Sequence, residues 1–246
     1  MEGSPTAGWA PYCGIAPTPG ELLGRWNLDP MLLAFLALGL GLTLWRARVE
    51  SRPALLAALA VLAIGFVSPL CALSSALFSA RTVHHVLLVA VAAPLLAWGL
   101  PRRRVGPLAL ATAAPAALFW AWHAPGVYAT ALSSDAVYWL MQASLLGSAV
   151  WFWSAVRNAG APAAVAALLI AMVQMGLLGA LITFAGAPLY APHLLTTQAF
   201  GLSPLEDQQM AGLIMWAPAA ALYLIAALVV LGRRIGPDRS MGARPA

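Results

Sequence analysis

The distribution of arginine around seven apolar stretches most constrains what this chain can fold into. Eleven of the thirteen arginines lie in alternate connections between the stretches, or in the tail after residue 232. Basic residues concentrate on the cytoplasmic side of membrane proteins, so this asymmetry predicts an external N-terminus and a cytoplasmic C-terminus. The apolar stretches lie at about residues 30–45, 53–73, 83–100, 107–122, 136–156, 162–184 and 210–232. The eleven arginines are Arg46, Arg48, Arg52, Arg102, Arg103, Arg104, Arg157, Arg233, Arg234, Arg239 and Arg244, which leaves Arg25 and Arg81 on the other side.

Composition agrees with a membrane protein and argues against a soluble domain. The chain has 246 residues, of which 62% are hydrophobic and 9% charged, and its mean hydropathy is +0.84. These values predict an all-α fold, a polytopic membrane helical bundle of seven transmembrane helices. The net charge of +5 is explained by arginines in short cytoplasmic turns, next to lipid headgroups. We therefore expect the lipid bilayer as a partner and no nucleic acid.

Three parts of the chain are expected. An external N-terminal segment covers residues 1–28, a seven-helix transmembrane domain covers 29–232, and a basic cytoplasmic tail covers 233–246. Residues 1–28 lack the basic and apolar regions of a cleaved signal peptide. The first and fourth apolar stretches are short, because a hydrocarbon core of about 30 Å needs about 20 helical residues. The sequence does not indicate the oligomeric state.

Two cysteines fall at the predicted outer face. Cys13 lies in the N-terminal segment, and Cys71 lies at the outer end of the second apolar stretch. An oxidising exterior would permit a disulfide between them. Two unrelated thiols, one of them a small buried apolar side chain, and a copper–thiolate site are the alternatives. We expect the two residues to lie close together, whether bridged or not.

All four histidines also map to the predicted outer half of the bundle. Neutral imidazole is the commonest metal ligand in proteins and suits copper, zinc, iron and nickel. His84 and His85 open the third stretch, and neighbouring helical residues point about 100° apart. His85 is the better inward candidate, and His84 is expected to face the headgroups. His123 either binds metal or caps a helix end, and His193 either joins a site or is a solvated loop residue.

Glu206 and Asp207 are adjacent carboxylates just before the seventh stretch. Acids at a helix N-terminus interact favourably with the helix dipole, and Ser203-Pro-Leu-Glu206 is a capping-box pattern. Alternatively, one of the two carboxylates binds a metal or orients a metal-binding histidine. The sequence contains no phosphate-cradling glycine loop, no serine-elbow pattern and no Cys-x-x-Cys pair. Nothing in the sequence therefore points to a nucleotide site or a haem-attachment site.

Several motifs together resemble those of one family. They are Tyr12-Cys-Gly with Arg25-Trp-Asn-Leu-Asp-Pro30, His85-Val-Leu-Leu leading to Pro94-Leu-Leu and Gly99-Leu-Pro101, Trp122-His-Ala-Pro-Gly-Val-Tyr128, and Gly201-Leu-Ser-Pro-Leu-Glu-Asp-Gln-Gln209 followed by Gly212-Leu-Ile-Met-Trp216. Over about residues 12–232 the chain resembles the multi-span CtaG family, cytochrome c oxidase assembly factors associated with caa-type oxidases. The Asp-Gln-Gln…Met-Trp element is the most specific part of the likeness.

The resemblance implies a function, a location and a set of partners. It implies a multi-pass protein of the bacterial inner (plasma) membrane that is not an enzyme and assists maturation of a haem-copper oxidase by handling copper, with cytochrome c oxidase subunits as partners. The implied outer-face polar positions are His85, His123, Glu206 and Asp207, with His84 and His193 as substitute ligands. The chain departs from the family pattern at Arg81 and Gln142, where relatives often have histidine.

Two other classes of function remain open at this stage. One is a copper or small-solute permease, although few polar residues lie deep in the stretches. The other is an intramembrane metal-dependent hydrolase, in which outer histidines and an acid would activate water. For the assembly factor we expect His85 and His123 to line an outward-facing pocket near the tops of the third and fourth spans, approached by Glu206 or Asp207. Copper is the expected ligand.

Overall fold

The structure is a computed structural model that describes residue 9, residues 11–103 and residues 105–235. Within these residues the chain forms helices joined by turns, and no strand is present. This confirms the all-α prediction. Arg104, Arg239 and Arg244, and the predicted tail from residue 236 onward, lie outside the described residues.

Nine helices organise this part of the chain. They are α1 (Pro30–Arg46), α2 (Arg52–Phe66), α3 (Pro69–Ala76), α4 (Phe78–Gly99), α5 (Leu108–His123), α6 (Pro125–Ala131), α7 (Asp135–Asn158), α8 (Ala161–Thr183) and α9, whose consecutive segments are Pro204–Ile214, Met215–Ala219 and Ala220–Ile235. Short 3-10 turns lie at Leu22–Gly24, Val49–Ser51, Ala191–His193 and Gln198–Phe200.

A helix lies in each of the seven predicted apolar stretches, formed by α1, α2, α4, α5, α7, α8 and α9. Four helical segments of the described chain are long and apolar enough to cross a membrane, judged by length and composition alone. These are Val49–Phe66, Phe78–Gly99, Ala161–Thr183 and Pro204–Arg233. The helices α1 and α5 are apolar but shorter, in line with the lengths of their stretches. A crossing by all seven helices stays a prediction.

The boundaries of the second and third stretches differ from those expected. The helix α2 ends at Phe66, and a separate short helix, α3, follows it. Ser68 caps α3 by accepting from the Leu70 N–H, and Pro69 occupies its first position, so the local sequence favours a new helix start. The helix α4 begins at Phe78, so the connection predicted at 74–82 is wrong. These residues are helical except at Leu77.

Prolines inside α4 and α9 coincide with irregular turns. A proline lacks an N–H, and its ring clashes with the carbonyl four residues earlier. The π-helical turn Leu87–Ala92 precedes Pro94 in α4, and the π-helical turn Met215–Ala219 contains Pro218 in α9. Each turn widens the helix locally while both flanking segments stay helical.

Glycines allow α8 and α9 to approach closely. A Cβ atom placed on Gly179 would lie 2.7 Å from the carbonyl oxygen of Gly212. Small residues let helix backbones come together in this way in membrane proteins. The contact lies near the end of α8 and the start of α9, and α8 also packs on the last segment of α9, so the two helices run antiparallel.

The basic turns gather at one end of the bundle. The guanidinium of Arg157, at the end of α7, donates to the carbonyl oxygens of Ala97 and Leu100, at the end of α4. Gly99 packs directly against Leu55, close to the start of α2. We call this the basic end. It agrees with the one-sided arginine pattern, while the orientation of the chain in a membrane stays a prediction.

The N-terminal segment closes the opposite end of the bundle. Cys13 and Cys71 form a disulfide with Cα atoms 5.3 Å apart, which confirms that the two residues lie close together. Tyr12 stacks on Tyr138 of α7, with ring centroids 5.1 Å apart. Its hydroxyl donates to Asp29, the N-cap of α1. This hydrogen bond holds the pKa of the exposed Asp29 carboxyl below its usual range. We call this the disulfide end.

Candidate functional site

A cluster of buried polar side chains lies inside the disulfide end. Its centre is the first two turns of α4, where Arg81, His84 and His85 are respectively 0%, 1% and 2% exposed. Residues three and four apart share one side of a helix, so the two histidines flank the direction in which Arg81 points. The expectation that His84 faces the headgroups is therefore wrong, because both imidazoles are enclosed by the bundle.

Tyr138 and Gln142 face this part of α4 from α7. They are one helical turn apart, and both are buried. The guanidinium carbon of Arg81 lies 5.3 Å from the ring centroid of Tyr138, which is within the range of a cation–π contact. Gln142 lies one turn from Tyr138 on the same side of α7, so we assign it to the same cluster. Arg81, His84, His85, Tyr138 and Gln142 are called the arginine–histidine cluster below.

Many polar atoms of the arginine–histidine cluster have no hydrogen-bond partner within the described residues. They include the three guanidinium nitrogens of Arg81, both ring nitrogens of His84 and of His85, and both amide atoms of Gln142. Buried polar groups in proteins are nearly always hydrogen-bonded. Such a concentration of unpartnered groups is typical of a site that binds a ligand, an ion or ordered water.

His123 connects this cluster to α5. Its ring centroid lies 5.8 Å from that of His85. The Nδ1 atom lies 2.7 Å from the carbonyl oxygen of Phe119, so we assign the proton to Nδ1, which donates to that oxygen. The Nε2 atom then carries a free electron pair, the arrangement in which a neutral histidine binds a metal. Both imidazoles are buried, so the outward-facing pocket that was expected around them is not open.

Asp207 has a structural role that explains its burial. It is 0% exposed and accepts hydrogen bonds from the backbone N–H groups of Phe78, at 2.7 Å, and Ser79, at 3.2 Å, and from the Ser79 hydroxyl. These are the first two residues of α4. A carboxylate of α9 thus caps the helix that carries Arg81, His84 and His85, and its charge is favourable at a helix N-terminus.

Glu206 points away from the cluster. Its carboxylate is exposed and accepts from the backbone N–H of Ser203, while the Ser203 hydroxyl accepts from the Glu206 N–H. This is the predicted capping box, and it starts α9. The two adjacent acids therefore cap different helices, Glu206 its own and Asp207 a neighbouring one.

His193 is buried and bonded on both ring nitrogens, so the interpretation as a solvated loop residue is wrong. Nε2 lies 2.6 Å from the Tyr128 hydroxyl, and Nδ1 lies 3.3 Å from the carbonyl oxygen of Ala76. Burial lowers the pKa of His193 to about 3, and the positive charge of Arg81 adds to this effect. The ring is therefore neutral at pH 7. It ties the loop between α8 and α9 to α3 and α6.

Five of the six predicted site residues thus lie buried at the disulfide end, in three separate arrangements. His84 and His85 belong to the arginine–histidine cluster with His123 beside them, His193 joins Tyr128, and Asp207 caps α4. Within the described ranges, no three histidine, cysteine or acidic side chains form a group that could hold a metal ion. A pair of histidines with other donors is a different kind of site from such a group of three.

Sequence reasoning missed the part played by Arg81, Ser79 and Tyr128. Arg81 was noted as a departure from the family pattern, although its position already distinguishes it. It is one of only two arginines on the predicted outer side, and ionisable groups at membrane depth tend to be functional. Tyr128 closes a motif that was noted for its histidine. No local signal marks Ser79, because its partner Asp207 is 128 residues away.

Comparison with known families agrees with the resemblance drawn from the motifs. The family model for the cytochrome c oxidase caa3 assembly factor (Caa3_CtaG) matches residues 39–235. Comparison with curated proteins and with solved structures found no significant match. The matched range contains α2 to α9, all four histidines, Arg81 and Asp207. Because the match extends over most of the chain, this protein belongs to the family of cytochrome c oxidase caa3 assembly factors.

Proposed function

We propose that this protein helps to mature a haem-copper cytochrome c oxidase by handling copper at the outer face of the bacterial inner membrane. It does so as a carrier or assembly partner of oxidase subunits and catalyses no reaction itself. The observation that carries the proposal is the pair formed by His85 and His123, two buried imidazoles from different helices.

The separation of the two rings suits a shared ion. Two metal–nitrogen bonds of about 2 Å each, together with the radii of two imidazole rings, span about 6.4 Å between ring centroids. The observed 5.8 Å is inside that limit. His123 has its Nδ1 engaged with Phe119, and neither nitrogen of His85 is bonded to a described residue. Imidazole nitrogen is an accepted copper ligand, and His84 supplies a further donor next to the pair, with its ring centroid 6.0 Å from that of His85.

The guanidinium of Arg81, one helical turn from His85, bears on how copper would be held. A positive charge nearby weakens the binding of a cation, and does so more strongly in a buried site than in water. Weak binding is useful for a factor that must pass its copper to a target. We therefore propose that copper is cargo at this site and not a resident cofactor.

The membrane orientation is part of the proposal. The basic end would face the cytoplasm and the disulfide end the outside, by the positive-inside rule. The disulfide Cys13–Cys71 supports this orientation, because disulfides persist in oxidising compartments. A reporter inserted between residues 185 and 209 should give an external signal in cells. A cytoplasmic signal from that position would remove the basis for placing the histidines at the outer face.

The two alternative functions have less support. A metal-dependent hydrolase needs a carboxylate that is free to act as a base, whereas Asp207 accepts three hydrogen bonds and Glu206 caps its own helix. A permease needs a route through the bundle. The buried arginine, histidine and aspartate side chains of the described residues all lie at the disulfide end. Towards the basic end, the buried Tyr223 stacks on Trp153.

The decisive variant replaces His85 and His123 together by alanine. We expect at least a tenfold loss of copper per chain after loading with cuprous ion, measured by mass spectrometry of the purified protein. In a strain that depends on this protein, the oxidase should lose its copper and its activity, while the variant still inserts into the membrane. Replacing His85 by methionine, another copper ligand, should restore part of the binding.

Gln174→Ala is the matched control. Gln174 is also a polar side chain within the bundle, but it accepts from Trp120, away from the histidines. This variant should bind copper and support the oxidase like the wild type. Full oxidase activity in the double histidine variant would refute copper handling at this pair. Zinc in place of copper, or copper uptake into vesicles, would instead favour the hydrolase or the permease.

A further inference from the structure

Arg81 carries a positive charge that no described residue neutralises. It is fully buried, and none of its three guanidinium nitrogens has a hydrogen-bond partner among the described residues. Its contact with the ring face of Tyr138 is attractive but leaves the charge in place. A guanidinium cannot lose its proton in a protein. The charge therefore persists in the folded state and must be compensated by something else.

The acidic residues of the described chain do not provide that compensation. Asp207 is the buried one, and its two carboxylate oxygens accept from Phe78 and Ser79. Removing a single ion from water without a partner costs several kcal/mol even after the protein relaxes. The cost of burying an isolated guanidinium in this position would thus equal a large fraction of the free energy of unfolding of a typical domain.

The groups around Arg81 can both donate and accept hydrogen bonds, and the hydroxyls of Tyr128 and Tyr138 also lie close to it. The amide of Gln142 and the rings of His84 and His85 have unpartnered nitrogens, and a neutral imidazole donates through one of its two nitrogens. Thr82 adds a buried hydroxyl without a partner. Because no carboxylate lies among these groups, a bound anion would balance the charge of Arg81 and accept hydrogen bonds from the donors beside it.

We propose that the arginine–histidine cluster binds one small monovalent inorganic anion of the halide class, held by Arg81 and by N–H groups of Gln142 and His84. A small anion is proposed because the site is enclosed, with Arg81 and both histidines at most 2% exposed. The anion neutralises the guanidinium and satisfies donors on α4 and α7 at once. It therefore ties the first turns of α4 to α7. His84 would be shared with the proposed copper pair, so the test uses copper-free protein.

The test measures thermal unfolding of the full-length protein in detergent by tryptophan fluorescence. Chloride replaces gluconate, a bulky anion, at constant ionic strength. A ligand at 100 times its dissociation constant should raise the midpoint of a domain of this size by about 5 °C or more. Arg81→Met should abolish the chloride dependence, because the charge that requires the anion is gone.

Arg25→Met is the matched control. Arg25 lies at the same end of the bundle but is partly exposed, and its guanidinium donates to the carbonyl oxygen of Ile15. This variant should keep the full chloride response. A wild-type midpoint that is equal in chloride and gluconate after exhaustive dialysis, or a response that survives in Arg81→Met, would count against the anion.

A second measurement does not depend on how well the variant folds. Wild-type protein is desalted into chloride-free buffer and denatured, and the released anions are quantified by ion chromatography. If the anion exchanges slowly, this experiment should give about one anion per chain. If it exchanges rapidly, equilibrium dialysis with radioactive chloride should give about one bound chloride per chain. If both experiments give no bound anion, the proposal is wrong and ordered water is the occupant.

Discussion

Replacing Asp207 by alanine tests whether a carboxylate on α9 holds the start of α4. The substitution removes the acceptor of the Phe78 and Ser79 backbone N–H groups and of the Ser79 hydroxyl. Loss of an N-cap costs about 1 kcal/mol, and up to 2 kcal/mol in some proteins. A hydrogen bond to a charged acceptor contributes about 1.5–3 kcal/mol. The free energy of unfolding should therefore fall by about 3 kcal/mol.

The expected loss can be read as a shift in the unfolding midpoint. For a domain of 150–250 residues, 1 kcal/mol corresponds to about 2–4 °C, so Asp207→Ala should lower the midpoint by about 6–12 °C. The assay is thermal unfolding of the purified protein in detergent, followed by tryptophan fluorescence. Hydrogen exchange should also quicken at the amides of Phe78 and Ser79, because these groups lose their acceptor.

Glu206→Ala is the control, because Glu206 is the neighbouring carboxylate in the sequence. Its side chain is exposed, so water replaces it at the Ser203 N–H and the midpoint should stay close to that of the wild type. Oxidase maturation provides a second comparison of Asp207→Ala with Glu206→Ala, because the start of α4 carries Arg81 and His85. If Asp207→Ala shifts the midpoint no further than Glu206→Ala does, then the carboxylate does not stabilise α4 and the argument is wrong.

Two further predictions concern packing and the disulfide. Gly179→Ala should lower the unfolding midpoint strongly, because the new methyl would lie 2.7 Å from the carbonyl oxygen of Gly212. Gly147→Ala should be neutral, because no atom lies within 4 Å of the added Cβ. Equal midpoints for the two variants would contradict the close approach of α8 and α9. Replacing Cys13 and Cys71 together by serine should reduce the free energy of unfolding by at most about 4 kcal/mol. This is the chain-entropy value for a loop closed by cysteines 58 residues apart. An unchanged midpoint in non-reducing thermal unfolding would show that the disulfide does not stabilise the fold.

Features that depend on residues near each other in the sequence could be predicted from the sequence. The apolar runs indicated where helices lie, since each run must satisfy its own backbone in a membrane. Ser203 with Glu206 indicated the start of α9, because capping is local chemistry. The motifs indicated the family. The histidines and Asp207 were correctly grouped at one end, because alternate connections of a bundle share a side.

Only the tertiary structure decided what each of these side chains does. Asp207 and Glu206 look equivalent in sequence, yet Asp207 caps a helix 128 residues away, and no local pattern encodes that partner. His84 was expected at the headgroups but is buried, because it packs against Gly65 and Phe66 of α2. His193, for which a solvated position was one of two interpretations, is buried between Tyr128 and Ala76. In the sequence, Arg81 only departed from the family pattern. The structure shows that its charge is buried, and an unpaired buried cation is costly, which is the basis for proposing a bound anion.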